Sequence, residues 1–162
     1  MEIGGNQEAW NKLTSISLNN IDTSVDKIDD YFLNMCYNLS EANIRGFRNI
    51  KTIGSSFLGE TIIVEIDINA LKNVVDIGDN FLYCCAQLEE IDVSIITNLR
   101  TLGDYSLYCC EKLQRANLSG LKELTSIGDG VLSYADALES IALTGLSQLP
   151  SVGDEYLTST LL

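Results

Sequence analysis

The chain has 162 residues, 46% of them hydrophobic and 20% charged, with a formal net charge of -13 and no histidine. That composition excludes intrinsic disorder and turns the chain away from nucleic acid and anionic membrane, both of which are bound largely through Lys and Arg. No apolar run reaches the roughly eighteen residues of a membrane-spanning helix, and the opening MEIGGNQEAW lacks the basic and apolar regions of an export signal.

A block of about twenty-five residues recurs along the chain. The first copy, residues 3–27, is degenerate and keeps Leu13, Ile16, Leu18 and Ile21. Residues 28–52 read IDDYFLNMCYNLSEANIRGFRNIKT, and residues 53–76 form a shorter copy that lacks one residue before Ile63. Residues 77–101, 102–126 and 127–151 repeat the frame as IGDNFLYCC, LGDYSLYCC and IGDGVLSYA with their continuations, and a partial copy occupies 152–162. Such periods belong to solenoids, because each unit has an apolar side that only a stacked neighbour can bury. Residues 1–162 are therefore expected to form a single domain. It ends in Leu161 and Leu162 without a polar cap, so end-to-end self-association or a longer parent protein is expected.

Within one unit the pattern divides into three. After the Gly-Asp step, Phe81, Leu82 and Cys85 fall at the spacing of one helical face, which predicts a short helix of about two turns. Asp79 then occupies the cap position, as do Asp30, Asp104, Asp129 and Asp154, with Ser55 in the shorter copy. Next, Leu88, Ile91 and Val93 alternate with polar residues as a half-buried strand does. The same holds for Leu39, Ala42 and Ile44, for Leu113, Ala116 and Leu118, and for Leu138, Ile141 and Leu143. The return segment contributes Phe47 and Ile50, Leu71 and Val74, Ile96 and Leu99, Leu121 and Leu124, and Leu146 and Leu149 to the convex half of the core. The expected architecture is α/β, with a parallel sheet on the concave side and short helices between the strands.

Cys36, Cys85 and Cys110 share an inward position and read as small core hydrophobes, while Cys84 and Cys109 share the position before it. Their spacing does not suit zinc, and a thiol nucleophile would lack its histidine base, so neither a cofactor nor catalysis is expected. Trp10 is expected to seal the first coil, and Tyr31, Tyr105, Tyr156, Phe57 and Phe81 to pack on the helical face. Asn38-Leu-Ser and Asn117-Leu-Ser fit a glycosylation triplet but carry little weight without an export signal.

Residues between the buried strand positions should line the concave face in columns. Glu41, Glu65, Glu90 and Arg115 fall in one, Asn43, Asp67, Asp92 and Asn117 in the next, and Arg45, Asn69, Ser94 and Ser119 in a third. At the roughly 4.8 Å spacing of neighbouring strands the stacked carboxylates would repel, which a basic partner, a cation or simply water relieves. No loop supplies the six or more oxygens that Ca²⁺ requires.

The frame IGD-x-x-L-x-x-C-x-x-L-x-x-I-x-L resembles the leucine-rich repeats, and within them the BspA-like class, over nearly the whole chain. Where the general signature has Asn or Cys after the strand, this chain has Phe47, Leu71, Ile96, Leu121 and Leu146, so the turn there must satisfy its backbone without an asparagine ladder. The resemblance implies a leucine-rich-repeat solenoid, and members displayed on cell surfaces and active in adhesion. The expected function is non-enzymatic protein binding, by a recognition or adhesion module whose ligand, basic in character, meets Glu41, Asn43, Glu65, Asp67, Glu90, Asp92, Arg115 and Asn117. The alternative is a structural spacer or regulatory arm of a larger protein.

Overall fold

The computed structural model describes residues 10–150 together with Asp154, Leu157 and Thr158. Tyr156, Leu161 and Leu162, and with them the expectations for the chain's last residues, lie outside the described residues.

Successive copies stack as parallel coils around one apolar interior. The expected strands appear as β1 (Ser15–Ser17), β3 (Glu41–Asn43), β6 (Glu90–Asp92), β8 (Arg115–Asn117) and β10 (Ser140–Ala142). A second parallel sheet joins β2 (Lys27–Ile28), β4 (Thr52–Ile53), β5 (Asp76–Ile77), β7 (Thr101–Leu102) and β9 (Ser126–Ile127) in the order β2-β4-β5-β7-β9. Sequence reasoning passed over this second sheet, because a single apolar residue before Gly shows no alternation. Its register pairs Ile28 with Ile53, Ile53 with Ile77, Ile77 with Leu102 and Leu102 with Ile127, which puts one β-branched or leucine side chain into the core per coil.

The core is built from the expected columns. Leu39, Ile63, Leu88 and Leu113 are fully buried, as are the return-segment residues Phe47, Ile50, Leu71, Val74, Ile96, Leu99, Leu121 and Leu124. Phe32, Phe57 and Phe81 stack through three coils, with ring centroids 5.9 and 5.8 Å apart. Trp10 packs against the same core from the first coil.

The helices expected after the Gly-Asp step are not formed. Instead the backbone alternates into the left-handed region at every second residue, as at Asn80 (φ 58), Leu82 (φ 54) and Cys84 (φ 51), and again at Tyr105, Leu107 and Cys109. A helix would use these N–H groups internally; here each crosses to a neighbouring coil. Asn80 N–H donates to Asp104 O (2.7 Å), Leu82 N–H to Phe57 O (3.0 Å) and Cys84 N–H to Tyr108 O (2.8 Å). Left-handed geometry costs an L-residue about 1–2 kcal/mol, and the inter-coil bonds and the burial of Leu58, Leu82, Leu107 and Leu132 offset it. Phe81, Leu82 and Cys85 still point inward, so the apolar spacing resembles a helical stripe even though the backbone is not helical. Tyr31 projects outward, with 69% exposure, whereas Tyr105, although 39% exposed, packs edge-on against Tyr108 with ring centroids 5.5 Å apart.

The recurring aspartates cap nothing helical. The Ser55 N–H donates to Asp30 Oδ1 (2.9 Å), Asp104 N–H to Asp79 (3.0 Å), Asp129 N–H to Asp104 (2.9 Å) and Asp154 N–H to Asp129 (2.7 Å), so the carboxylates climb the stack as a ladder. The preceding glycine makes this approach feasible: a Cβ on Gly103 would sit 2.4 Å from the carbonyl carbon of Gly78 and 2.5 Å from Asp79 N.

The one-residue deletion before Ile63 has a local and specific effect. In other coils a tight turn precedes the strand, with Leu39 N–H bonded to Cys36 O (2.8 Å), Leu88 N–H to Cys85 O (3.0 Å) and Leu113 N–H to Cys110 O (3.0 Å). The third coil has no room for that turn, and Glu65, Ile66 and Asp67 join no ladder. The strand sheet accordingly splits into β1-β3 and β10-β8-β6, while the second sheet runs unbroken past the same coil.

Candidate functional site

The strand face is the surface on which sequence reasoning placed a partner. Glu41, Glu65, Asp67, Glu90, Asp92 and Arg115 are exposed there, and Asn43 and Asn117 are half-buried. Two open grooves mark it. The first, about 650 Å³, is lined by β1, β3, Arg45 and Glu65–Asp67; the second, about 680 Å³, by Val64–Ile66, Glu89, β6, β8 and β10. Glu65 and Ile66 line both.

The column Asn43, Asp67, Asp92 and Asn117 has a structural duty as well. Each side-chain oxygen accepts the N–H two residues on, from Arg45 (3.2 Å), Asn69 (3.1 Å), Ser94 (3.1 Å) and Ser119 (3.0 Å), which closes an Asx turn at the end of the strand segment. These turns satisfy the backbone where a conventional asparagine ladder is lacking. Bonds from the side chain and backbone of Asn69 hold the Asp67 carboxyl below its ordinary value. Asp67 also meets Arg45, with Nε 3.5 Å from Oδ2.

The other acidic column is not a single stripe. Glu41 pairs in register with Ser15, and Glu90 with Arg115, whose guanidinium forms a salt bridge to it. Glu65 stands in the unpaired coil between them. Among the described residues, Glu41, Glu65, Glu89 and Asp92 line the grooves with no ion-pair partner, and they carry the negative charge there that no base on this face neutralises.

Cys36, Cys85 and Cys110 are buried, as the inward column requires. The Cys85 thiol donates to Leu58 O (3.2 Å) and the Cys110 thiol to Leu82 O (3.3 Å). Burial pushes Cys85 up to about 11 and Cys110 well above its ordinary value. Cys84 is half-buried and is raised to about 12, again chiefly by desolvation. Beside it, Tyr83 and Tyr108 stack at 5.3 Å and Tyr108 meets Tyr134 at 5.2 Å, an aromatic ladder that sequence reasoning missed although Tyr83 and Tyr108 share one repeat position. Asn38 Nδ2 donates to Asn11 O (2.5 Å), so this asparagine of the first glycosylation triplet ties two coils together.

Stacked parallel coils with one strand segment and one short apolar return per repeat define a leucine-rich-repeat solenoid. The chain belongs to the family described as BspA type leucine rich repeat region, whose profile matches six copies over residues 5–72 and 48–160. Among solved structures it is similar to a leucine-rich repeat protein from Bacteroides ovatus, at 23% identity and a TM-score of 0.64. That similarity takes in 94% of this chain and 42% of the other, so the chain spans less than half of that longer protein. No curated protein matches the chain. Leucine-rich repeat domains are often used to bind proteins, and among the described residues no helix is long and apolar enough to cross a membrane.

Proposed function

We propose that this is a non-enzymatic, protein-binding repeat domain, a recognition or adhesion module that meets a basic protein ligand on its strand face. The observation that supports this reading most is the pair of open grooves meeting at Glu65, with Glu41, Glu65 and Glu89 unneutralised in them. A Lys- or Arg-bearing surface is drawn to such a face and its affinity falls with salt. The test is titration calorimetry with short oligolysine at low and high ionic strength. The native chain is expected to bind with a salt-dependent affinity, and the Glu41→Lys/Glu65→Lys double variant to lose about tenfold or more, the scale of a lost charge contact. Equal affinity in the variant would remove this face from consideration. Asp67 and Asp92 are unsuitable for that test, because their replacement also opens Asx turns. Display on a cell surface would follow from adhesion, and surface labelling of cells producing the parent protein tests it.

A second reading, a spacer or regulatory arm built by end-to-end stacking, rests on the ends of the described stack. Ile141, Leu143, Leu146 and Leu149 are only partly buried, whereas Ala116, Leu118, Leu121 and Leu124 one coil earlier are sealed. Sedimentation velocity across a concentration series distinguishes the two: a spacer associates as concentration rises, and a self-sufficient recognition module stays monomeric.

A further inference from the structure

The outward thiols of the left-handed ribbon serve neither the core nor the strand face. Inter-coil bonds set Met35, Glu60, Cys84, Cys109 and Tyr134 in one column: Met35 N–H donates to Gly59 O (2.9 Å), Glu60 N–H to Tyr83 O (2.7 Å), Cys84 N–H to Tyr108 O (2.8 Å) and Cys109 N–H to Ser133 O (2.9 Å). All five share the same backbone, with φ between 51° and 59°. A thioether, an acid, two thiols and a phenol fill this one position, so packing does not dictate cysteine there. The inward column differs, since Cys36, Thr61, Cys85, Cys110 and Ala135 are all buried and all small.

Cys84 and Cys109 stand on adjacent coils, half-buried and free of any disulfide, with their thiols in hydrogen-bonding contact. Their side chains leave the ribbon in parallel, as those just before them do: the rings of Tyr83 and Tyr108 lie 5.3 Å apart and 6° from parallel. A disulfide needs Cβ atoms roughly 3.5–4.5 Å apart and side chains turned together. Parallel side chains on coils about 4.8 Å apart keep their Cβ atoms at the coil spacing. That spacing suits an ion held between the sulfurs, because two metal–thiolate bonds of about 2.3 Å span about 4.6 Å. Among the described residues no third His, Cys, Asp or Glu completes a metal-ligating group. Zinc, which takes four ligands, and the hard cations, which take oxygens, are therefore unsuited. Thiolates select soft ions, and Cu(I) is one that two thiolates alone satisfy.

We propose that Cys84 and Cys109 form a two-coordinate site for Cu(I), which bridges the fourth and fifth coils through their sulfurs. Two thiols and one Cu(I) give a singly negative bis-thiolate complex and release both thiol protons to solvent; copper stays Cu(I), and no oxidant is consumed. The Tyr83 hydroxyl, in hydrogen-bonding contact with Cys84, donates to its thiolate. Glu60, one coil before, opposes the added negative charge, so the thiols stay protonated until the ion displaces the protons. This site is independent of the strand face and of the partner proposed for it.

The test is an anaerobic titration of the reduced chain with Cu(I) in competition with the chelator bicinchoninate, with proton release followed in parallel. The native chain is expected to take up one Cu(I) and to release both thiol protons as it does so. Cys84→Ser and Cys109→Ser are each expected to weaken binding by more than about 100-fold, beyond what disturbing a supporting contact costs a metal site. Failure of the native chain to compete for Cu(I), or unchanged affinity in either serine variant, overturns the inference. Should the serine variants not fold, X-ray absorption on the copper-loaded native chain decides: two sulfur ligands per copper support the site, and any other sulfur count overturns it.

Discussion

The aspartate at each Gly-Asp step shows how one residue type can serve a different partner from the one its neighbours suggest. Asp is a favoured helix cap, yet Asp79 and Asp104 accept from the backbone one coil higher. Asp104→Ala removes the acceptor of the Asp129 N–H and is expected to cost about 1–2 kcal/mol, read by urea denaturation and by faster exchange of the Asp129 amide. Gly103→Ala is expected to cost about 1–3 kcal/mol, because the added methyl presses on the Gly78 and Asp79 backbone rather than on a movable side chain. The buried thiols give a pH signature. Cys85 is raised to about 11 from an ordinary 9.0, so below pH 9.0 the thiol is neutral in both states and its burial contributes fully. Above that value only the unfolded chain ionises, and stability is lost as pH rises towards the folded value. Thermal melts are expected to stay level up to about pH 9 and then decline, with a shallower decline in Cys85→Ala.

The segment from Asp79 to Cys85 was legible as apolar and inward, and not legible in its backbone. Periodicity records which side chains are buried, and Phe81, Leu82 and Cys85 satisfy a helical stripe and an alternating left-handed ribbon equally well. What decides is where the N–H groups find acceptors, and the adjacent coils supply them. The two geometries differ under substitution at a half-exposed position. In a helix Asn80→Ala would stabilise, since Ala is the better helix former. At φ 58 it is expected to destabilise by about 1 kcal/mol, because Ala lacks the tolerance of Asn for left-handed backbone. Chemical denaturation of this one variant separates the two outcomes.

Across the stack, stability comes from each coil covering its neighbour, and the phenylalanine column and the second sheet run through the shorter repeat without interruption. The deletion is therefore confined to the strand side, where it opens the sheet without splitting the core. Leu143, Leu146 and Leu149 are only half-buried, so this coil is less well sealed than the one before it. Leu146→Glu is expected to suppress any concentration-dependent association seen by sedimentation, while an interior change such as Leu121→Glu unfolds the chain by burying an unpaired charge.

Period, core columns and the family frame could all be read from residue order, because burial of a repeated apolar set is a property of spacing alone. The missing residue before Ile63 was visible too, but not its consequence. That Asp79 and Asp104 form a ladder, and that Glu65 and Ile66 stand outside the sheet, depended on which backbone groups of adjacent coils came within hydrogen-bonding reach. Hydrogen bonds between coils join residues about twenty-five positions apart, and only the stacking of the chain determines those pairs.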